Sequence, residues 1–209
     1  MSQIETKTRI LQNARELFRR KGIRSVRMED IANHLGISKK TLYQHYKDKK
    51  NLIIAIAEYD IESHINFLRS VRSESINSIE IILRTSEHFF KDIANINPAM
   101  ISDVQRLYPE AWEKFKEKKN ELFTMSLVQT LSEGKQQGLF RSEIHPEIMA
   151  KLRLAQIELA FNSEIFPFDK YNFLEVHKQF FFHFLWGICT EKGLKLMEEY
   201  SNKNLFYTV

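Results

Sequence analysis

At 209 residues and 43% hydrophobic side chains, the chain is long enough to bury a sizeable core and has a globular composition. Its single cysteine excludes an intramolecular disulfide framework, and its longest apolar run, residues 180–189 with His183 inside it, is far shorter than the ~20 residues of a membrane span. The first fifty residues carry thirteen Lys/Arg and five Asp/Glu, a net +8 against +4 for the whole chain, so a basic head precedes a mildly acidic body and suits a polyanionic partner.

The start, Met1-Ser-Gln-Ile-Glu-Thr-Lys7, is polar and charged and does not read as a signal peptide, so a cytoplasmic protein with no membrane partner is expected. Apolar residues recur at three- and four-residue spacing almost throughout, and no stretch sustains period 2, which predicts an all-α fold. The first helix is predicted over about 3–21. Ser2-Gln-Ile-Glu5 is read as its capping box, Ile10, Ala14, Leu17 and Phe18 as its inner stripe, and Gly22 as its stop. A second helix is expected over about 28–35 and a third over about 39–46. Asp48 can cap a fourth that reaches to about residue 70, with Leu52, Ile53, Ile56, Ala57, Ile61, Ile65 and Leu68 inward.

A second layer follows. Helices are predicted over about 75–95, between Pro98 and Pro109, and over about 110–137 before Gly138. His145-Pro146-Glu147 opens another that runs to about 162. The next spans about 173–191, with Gly193 expected to end it, and a short tail helix is placed around 194–200. The 180–189 run is apolar almost all round and contains Gly187, so part of it is expected to face a second copy of the chain, with Phe181 or Phe184 as interface positions.

The densest signal lies at residues 31–49. Ala32 is small enough for close helix crossing, Gly36 can adopt the left-handed turn, and Ser38 can cap the following helix. Leu42 and Tyr46, four apart, share an inward face with Leu35 and Ile37. Lys39, Lys40, Thr41, Tyr43, Gln44, His45 and Lys47 are left for the outer surface. Apolar residues inside and hydrogen-bond donors outside are what a helix needs to enter a DNA groove.

Residues 8–53 thereby resemble the DNA-binding domain of TetR-type bacterial transcriptional regulators. The matching elements are Arg9-Ile-Leu, Ala14, Leu17-Phe18 and Gly22, then Met28-Glu-Asp-Ile-Ala32, Leu35-Gly-Ile-Ser38 and Thr41-Leu-Tyr-Gln-His-Tyr-Lys-Asp-Lys49 with Leu52. The resemblance implies an all-α homodimer with an N-terminal three-helix helix-turn-helix domain, residues 1–50, and a larger helical effector-binding and dimerisation domain, residues 51–209. It implies that Thr41, Tyr43 and His45 touch a double-stranded DNA operator, that Lys39 stands at the exposed start of the recognition helix, and that Lys49 meets a phosphate. Arg27 departs from the pattern: it replaces a hydroxyl cap and can offer a phosphate-seeking guanidinium instead. Lys39 and Lys40 also sit beside the helix start favoured by phosphates.

For a small-molecule effector, Phe89, Met100, Tyr108, Trp112, Phe115, Phe123, Gln156 and Phe161 are the candidate lining residues. The wealth of rings points to an apolar or aromatic ligand, with His88, Gln156 or Tyr108 to orient it. No histidine spacing matches a metal site, no cofactor is implied, and no nucleophile elbow, P-loop, dinucleotide fingerprint or zinc spacing marks an enzyme. A repressor released from DNA by its effector is the leading expectation. A helical adaptor for a protein partner is the alternative, to be told apart by an open apolar groove in place of a closed cavity, and an all-α enzyme ranks below both.

Overall fold

Helix boundaries follow the punctuation of the sequence. In a computed structural model the chain is described over residues 3–94, 96 and 98–202. Among these residues lie α1 (Gln3–Lys21), α2 (Met28–Leu35), α3 (Lys39–His45), α4 (Lys49–Glu74), α5 (Ser78–Ala94), α6 (Pro98–Leu107), α7 (Pro109–Gln136), α8 (Pro146–Ala160), α9 (Phe173–Ile188) and α10 (Glu191–Asn202), with no strand. The all-α expectation holds. Ser2 and its proposed capping box fall outside the described residues.

Several boundaries have visible causes. Asp48 accepts the Asn51 N–H at 2.8 Å and so caps α4. That hydrogen bond is the first reason its carboxyl sits below the usual carboxylate range. α4 runs past residue 70 because Val71 is fully buried and Arg72 reaches Glu133 at 2.6 Å and Thr130 at 2.8 Å. α5 begins at Ser78 and not at 75, since Asn77 accepts the Glu80 N–H at 3.0 Å. The expected stop at Gly193 is corrected: α9 ends at Ile188 and Gly193 lies inside α10. Cys189 takes an extended conformation and bridges to Phe140. Gly193 is needed there because a Cβ would stand 2.3 Å from the Leu139 carbonyl oxygen.

Packing divides the chain into two compact units, one of Met1–His64 with Asn95–Lys118, the other of Ile65–Ala94 with Lys119–Val209. This is a different cut from the functional boundary expected at residue 50. In the first, α1 to α3 and the start of α4 close over Ile10, Ala14, Phe18, Ile31, Leu42 and Leu52, and Met100, Val104 and Tyr108 pack onto that cluster. In the second, Ile79, Phe90, Leu131, Phe140, Leu185 and Ile188 form the centre. Phe181 and Phe184 belong to this second core, at 3% and 4% exposure, so they are not the outward positions expected of them. His183, Trp186 and Gly187 occupy the exposed face of α9.

Candidate nucleic-acid interface

The turn between α2 and α3 is built from three residues. Gly36 has φ 65° and ψ 31°, the left-handed region that suits glycine, and its N–H donates to Asn33 at 3.2 Å while the Ile37 N–H reaches Ala32 at 3.0 Å. Ser38 then accepts the Thr41 N–H at 3.0 Å, as its position forecast. Arg9 fastens the end of α2 by donating to the Leu35 carbonyl at 3.1 Å.

This frame fixes which side of α3 faces out. Leu42 is fully buried, Tyr46 is 4% exposed, and Ile37 packs against the same core. Burial also raises the Tyr46 phenol above its ordinary value. Lys39, Lys40, Tyr43 and Gln44 are exposed, whereas Thr41 and His45 are half-buried. Tyr43, at 45% exposure, is the large outward ring of the helix. Thr41 shares a 2.8 Å contact between its hydroxyl and that of Ser38. Lys39 leans on Glu29 of α2 at 3.3 Å, an exposed pair that contributes little and can be exchanged for another anion.

Two of the seven nucleic-acid candidates have occupations the sequence did not announce. Lys49 turns its ammonium inward: it donates to the carbonyls of Ile23 and, at 2.5 Å, Val26, and lies 5.5 Å from the Phe18 ring centre. Burial pushes its pKa down, partly offset by Asp103 and Asp30. In this arrangement the residue braces the α1–α2 loop. At Arg27, the main-chain N–H donates to Asp30 at 2.7 Å, so the cap the side chain lacks is supplied from three residues on, and the side chain is exposed.

The eight effector candidates are divided between the two compact units. Met100, Tyr108, Trp112 and Phe115 belong to the first compact unit, and Met100 and Tyr108 pack on the core beneath the turn. Phe89, Phe123, Gln156 and Phe161 belong to the second. Residue type alone could not separate them, because the division depends on where α6 and the first turns of α7 pack. His88 stacks on Phe67 with ring centres 3.9 Å apart. A cleft of about 390 Å³ is lined by Leu17, Lys21, Ser25, Val26, Asp30, Asn33 and His34, and by none of the eight.

The second unit also holds two polar residues that sequence reasoning passed over. His177 is fully buried and Arg153 is 5% exposed. Rings of Phe89, Phe161 and Phe173 surround His177 with centres 5.3, 4.7 and 4.7 Å away. A signal existed: Ala150, Arg153 and Ala160 share the spacing of an inward stripe, so a charge is placed where the helix turns to the core.

Comparison with known proteins agrees with this geometry. Residues 10–56 match the sequence profile of "Bacterial regulatory proteins, tetR family". The HTH-type transcriptional regulator YvaF of Bacillus subtilis is 27% identical over 75% of this chain and 81% of its own length. An HTH-type transcriptional regulator of Staphylococcus aureus is 32% identical over 38% of this chain, and the match spans 43% of that relative. Among solved structures, a TetR-family transcriptional regulator of Agrobacterium tumefaciens superposes with a TM-score of 0.71 at 16% identity, covering 90% of this chain and all of that one.

Proposed function

We propose that the chain is a transcriptional regulator of the TetR family and acts as a cytoplasmic homodimeric repressor that a small, largely apolar effector releases from a palindromic operator. The relatives named above are described as regulators of transcription.

The observation that carries the reading is the outward surface of α3. Lys39, Lys40, Tyr43 and Gln44 project from a helix whose other side is pinned by Leu42 and Tyr46. Such a helix presents donors to base edges and phosphates without loosening the core behind it. We assign Tyr43, Thr41 and His45 to the groove, and Lys39, Lys40 and Arg27 to positioning on the backbone. Lys49 is assigned to holding the loop that supports them; a phosphate contact at its ammonium would compete with two carbonyls.

Dimerisation is supported by apolar side chains left outside the core of the second unit. On α8, Ile148, Leu152 and Leu159 are 58%, 46% and 39% exposed at helical spacing, and on α9 Trp186 is 48% exposed next to Gly187. Exposed apolar stripes of this kind are characteristic of surfaces that a partner covers. Two heads related by a two-fold axis then read two half-sites. An effector that prefers one arrangement of the dimer shifts DNA affinity by its differential binding.

The test begins with selection of bound duplexes from a random pool and continues with fluorescence anisotropy on the selected site. Tyr43→Ala should weaken binding about tenfold, and Lys40→Ala should lower the log–log salt slope by about one unit. Both variants should keep the wild-type circular dichroism spectrum. Unchanged affinity and slope in both variants would remove α3 from the interface.

A further inference from the structure

Six side-chain atoms among the described residues are buried without a hydrogen-bond partner, and four of them fall on three residues: Arg153 Nη1, Gln156 Oε1, and both ring nitrogens of His177. Arg153 and Gln156 are three apart on α8 and so share a face. His177, Phe181 and Phe184 form one stripe of α9, and the Arg153 guanidinium lies 5.4 Å from the Phe181 ring centre and 6.0 Å from that of Phe184. The helices α8 and α9 pack directly on one another.

A cation in such a place is unusual. Buried arginines are normally paired with a carboxylate, and buried imidazoles normally hydrogen-bond at one nitrogen at least. Here neither holds, although the surrounding rings give the cluster an apolar wall. Water is a poor general answer for a permanent charge enclosed by phenylalanines, and burying a charge without a counter-ion is costly.

We infer that Arg153 and His177 form the headgroup site for a carboxylate carried on an otherwise apolar effector, with the body of that effector lying among the rings of Phe89, Phe161 and Phe173. The inference rests on the effector-responsive reading above and narrows its ligand to a class. Arginine supplies a charged donor and the imidazole N–H a second one, which matches the two oxygens of a carboxylate. A phosphate would bring a further oxygen and more charge than this wall can pair. At neutral pH the site is poised for this role: Arg153, although lowered to about 10 by burial, stays protonated, and His177, pushed down to about 3 by burial and then by Arg153 and Lys119, stays neutral with one N–H to give. The unused Gln156 oxygen accepts from a hydroxyl on the ligand. Because the atoms are sealed from solvent, entry requires the packing of α8 on α9 to loosen, so binding selects a state different from the closed one.

The experiment uses the full chain and two matched probe pairs, 2-naphthoate with 2-naphthamide and decanoate with decanamide, followed by titration calorimetry and thermal melting. At least one acid should bind saturably at millimolar concentration or below and raise the melting temperature, while its amide binds about tenfold more weakly or worse. Arg153→Met should abolish that preference and Arg153→Lys should restore part of it. The wild-type comparison of acid with amide stands even if a variant does not fold. Equal binding of acid and amide, undiminished acid binding by Arg153→Met, or no binding of either acid would each overturn the site. DNA anisotropy in the same samples separates the two readings: an acid that binds through Arg153 yet leaves operator affinity unchanged defeats effector control and keeps the site, whereas intact operator binding with no acid binding defeats the site alone.

Discussion

The two compact units solve the problem of burying polar groups in opposite ways. In the first, the buried residues among those described are all apolar apart from the Tyr46 phenol, and that hydroxyl finds the Lys7 carbonyl at 3.4 Å. One of its partly buried cations, Lys49, is spent on two backbone carbonyls. In the second, Ser78, Thr130, Arg153 and His177 are buried, and every buried unpartnered side-chain atom among the described residues lies there. A head that must hold α3 in one pose benefits from a fully satisfied core. On the proposed reading, the second unit responds to a ligand and benefits from polar groups whose satisfaction that ligand supplies.

The comparison concerns polar groups, so the apolar parts of both units should behave alike. Leu42 and Leu185 are each fully buried. Leu42→Ala and Leu185→Ala should each cost about 3 kcal/mol, the usual outcome when a buried leucine leaves a partly collapsed cavity. Urea denaturation followed by circular dichroism measures both. A cost below about 1 kcal/mol at Leu185 alone would mean that the second core is loosely packed, and the contrast would then be one of packing density.

A medium effect is expected from pH. The His177 imidazole is held down to about 3, first by burial and then by the positive charges of Arg153 and Lys119. An unfolded histidine titrates near ~6.5, so between these values the unfolded chain takes up a proton that the folded chain refuses. This residue therefore leaves stability unchanged above pH ~6.5 and lowers it as pH falls toward 3, by about 2 kcal/mol at pH 5. Denaturation at pH 7 and pH 5 should show that loss in the wild type and a smaller one in His177→Phe. Equal losses in the two proteins would place the acid-sensitive group elsewhere.

The smallest effect is the sharpest, because its sign differs between the units. Lys49→Met leaves the Ile23 and Val26 carbonyls without their donor and should destabilise by about 1–2 kcal/mol. Arg153→Met removes a buried charge that has no counter-ion and should stabilise the ligand-free protein by about 1 kcal/mol. Thermal melting of the two variants beside the wild type decides it. If Arg153→Met also destabilises, the guanidinium is held by its two phenylalanine rings strongly enough to count as satisfied, and the contrast between the units disappears.

Much of the molecule was legible from local signals. The spans of α1 and α2 and the start of α3 follow from spacing and punctuation, because helix periodicity, glycine at a left-handed turn and a serine cap act over a few residues. The inward placement of Leu42 and Tyr46 followed from the same short-range rule, and with it the outward placement of Tyr43.

What the tertiary structure decided is where those faces go. Phe181 and Phe184 turn to the core and Trp186 to solvent, a choice among neighbouring aromatics that depends on which helix packs against α9. The inward turn of Lys49 depends on a loop more than twenty residues earlier in the chain. The division of the aromatic candidates depends on α6 packing with α1. The placing of Arg153 over the rings of Phe181 and Phe184 needs α8 on α9. Periodicity assigns a residue to a stripe; the partner of that stripe, and so the chemistry of the contact, is a long-range property that the local sequence does not contain.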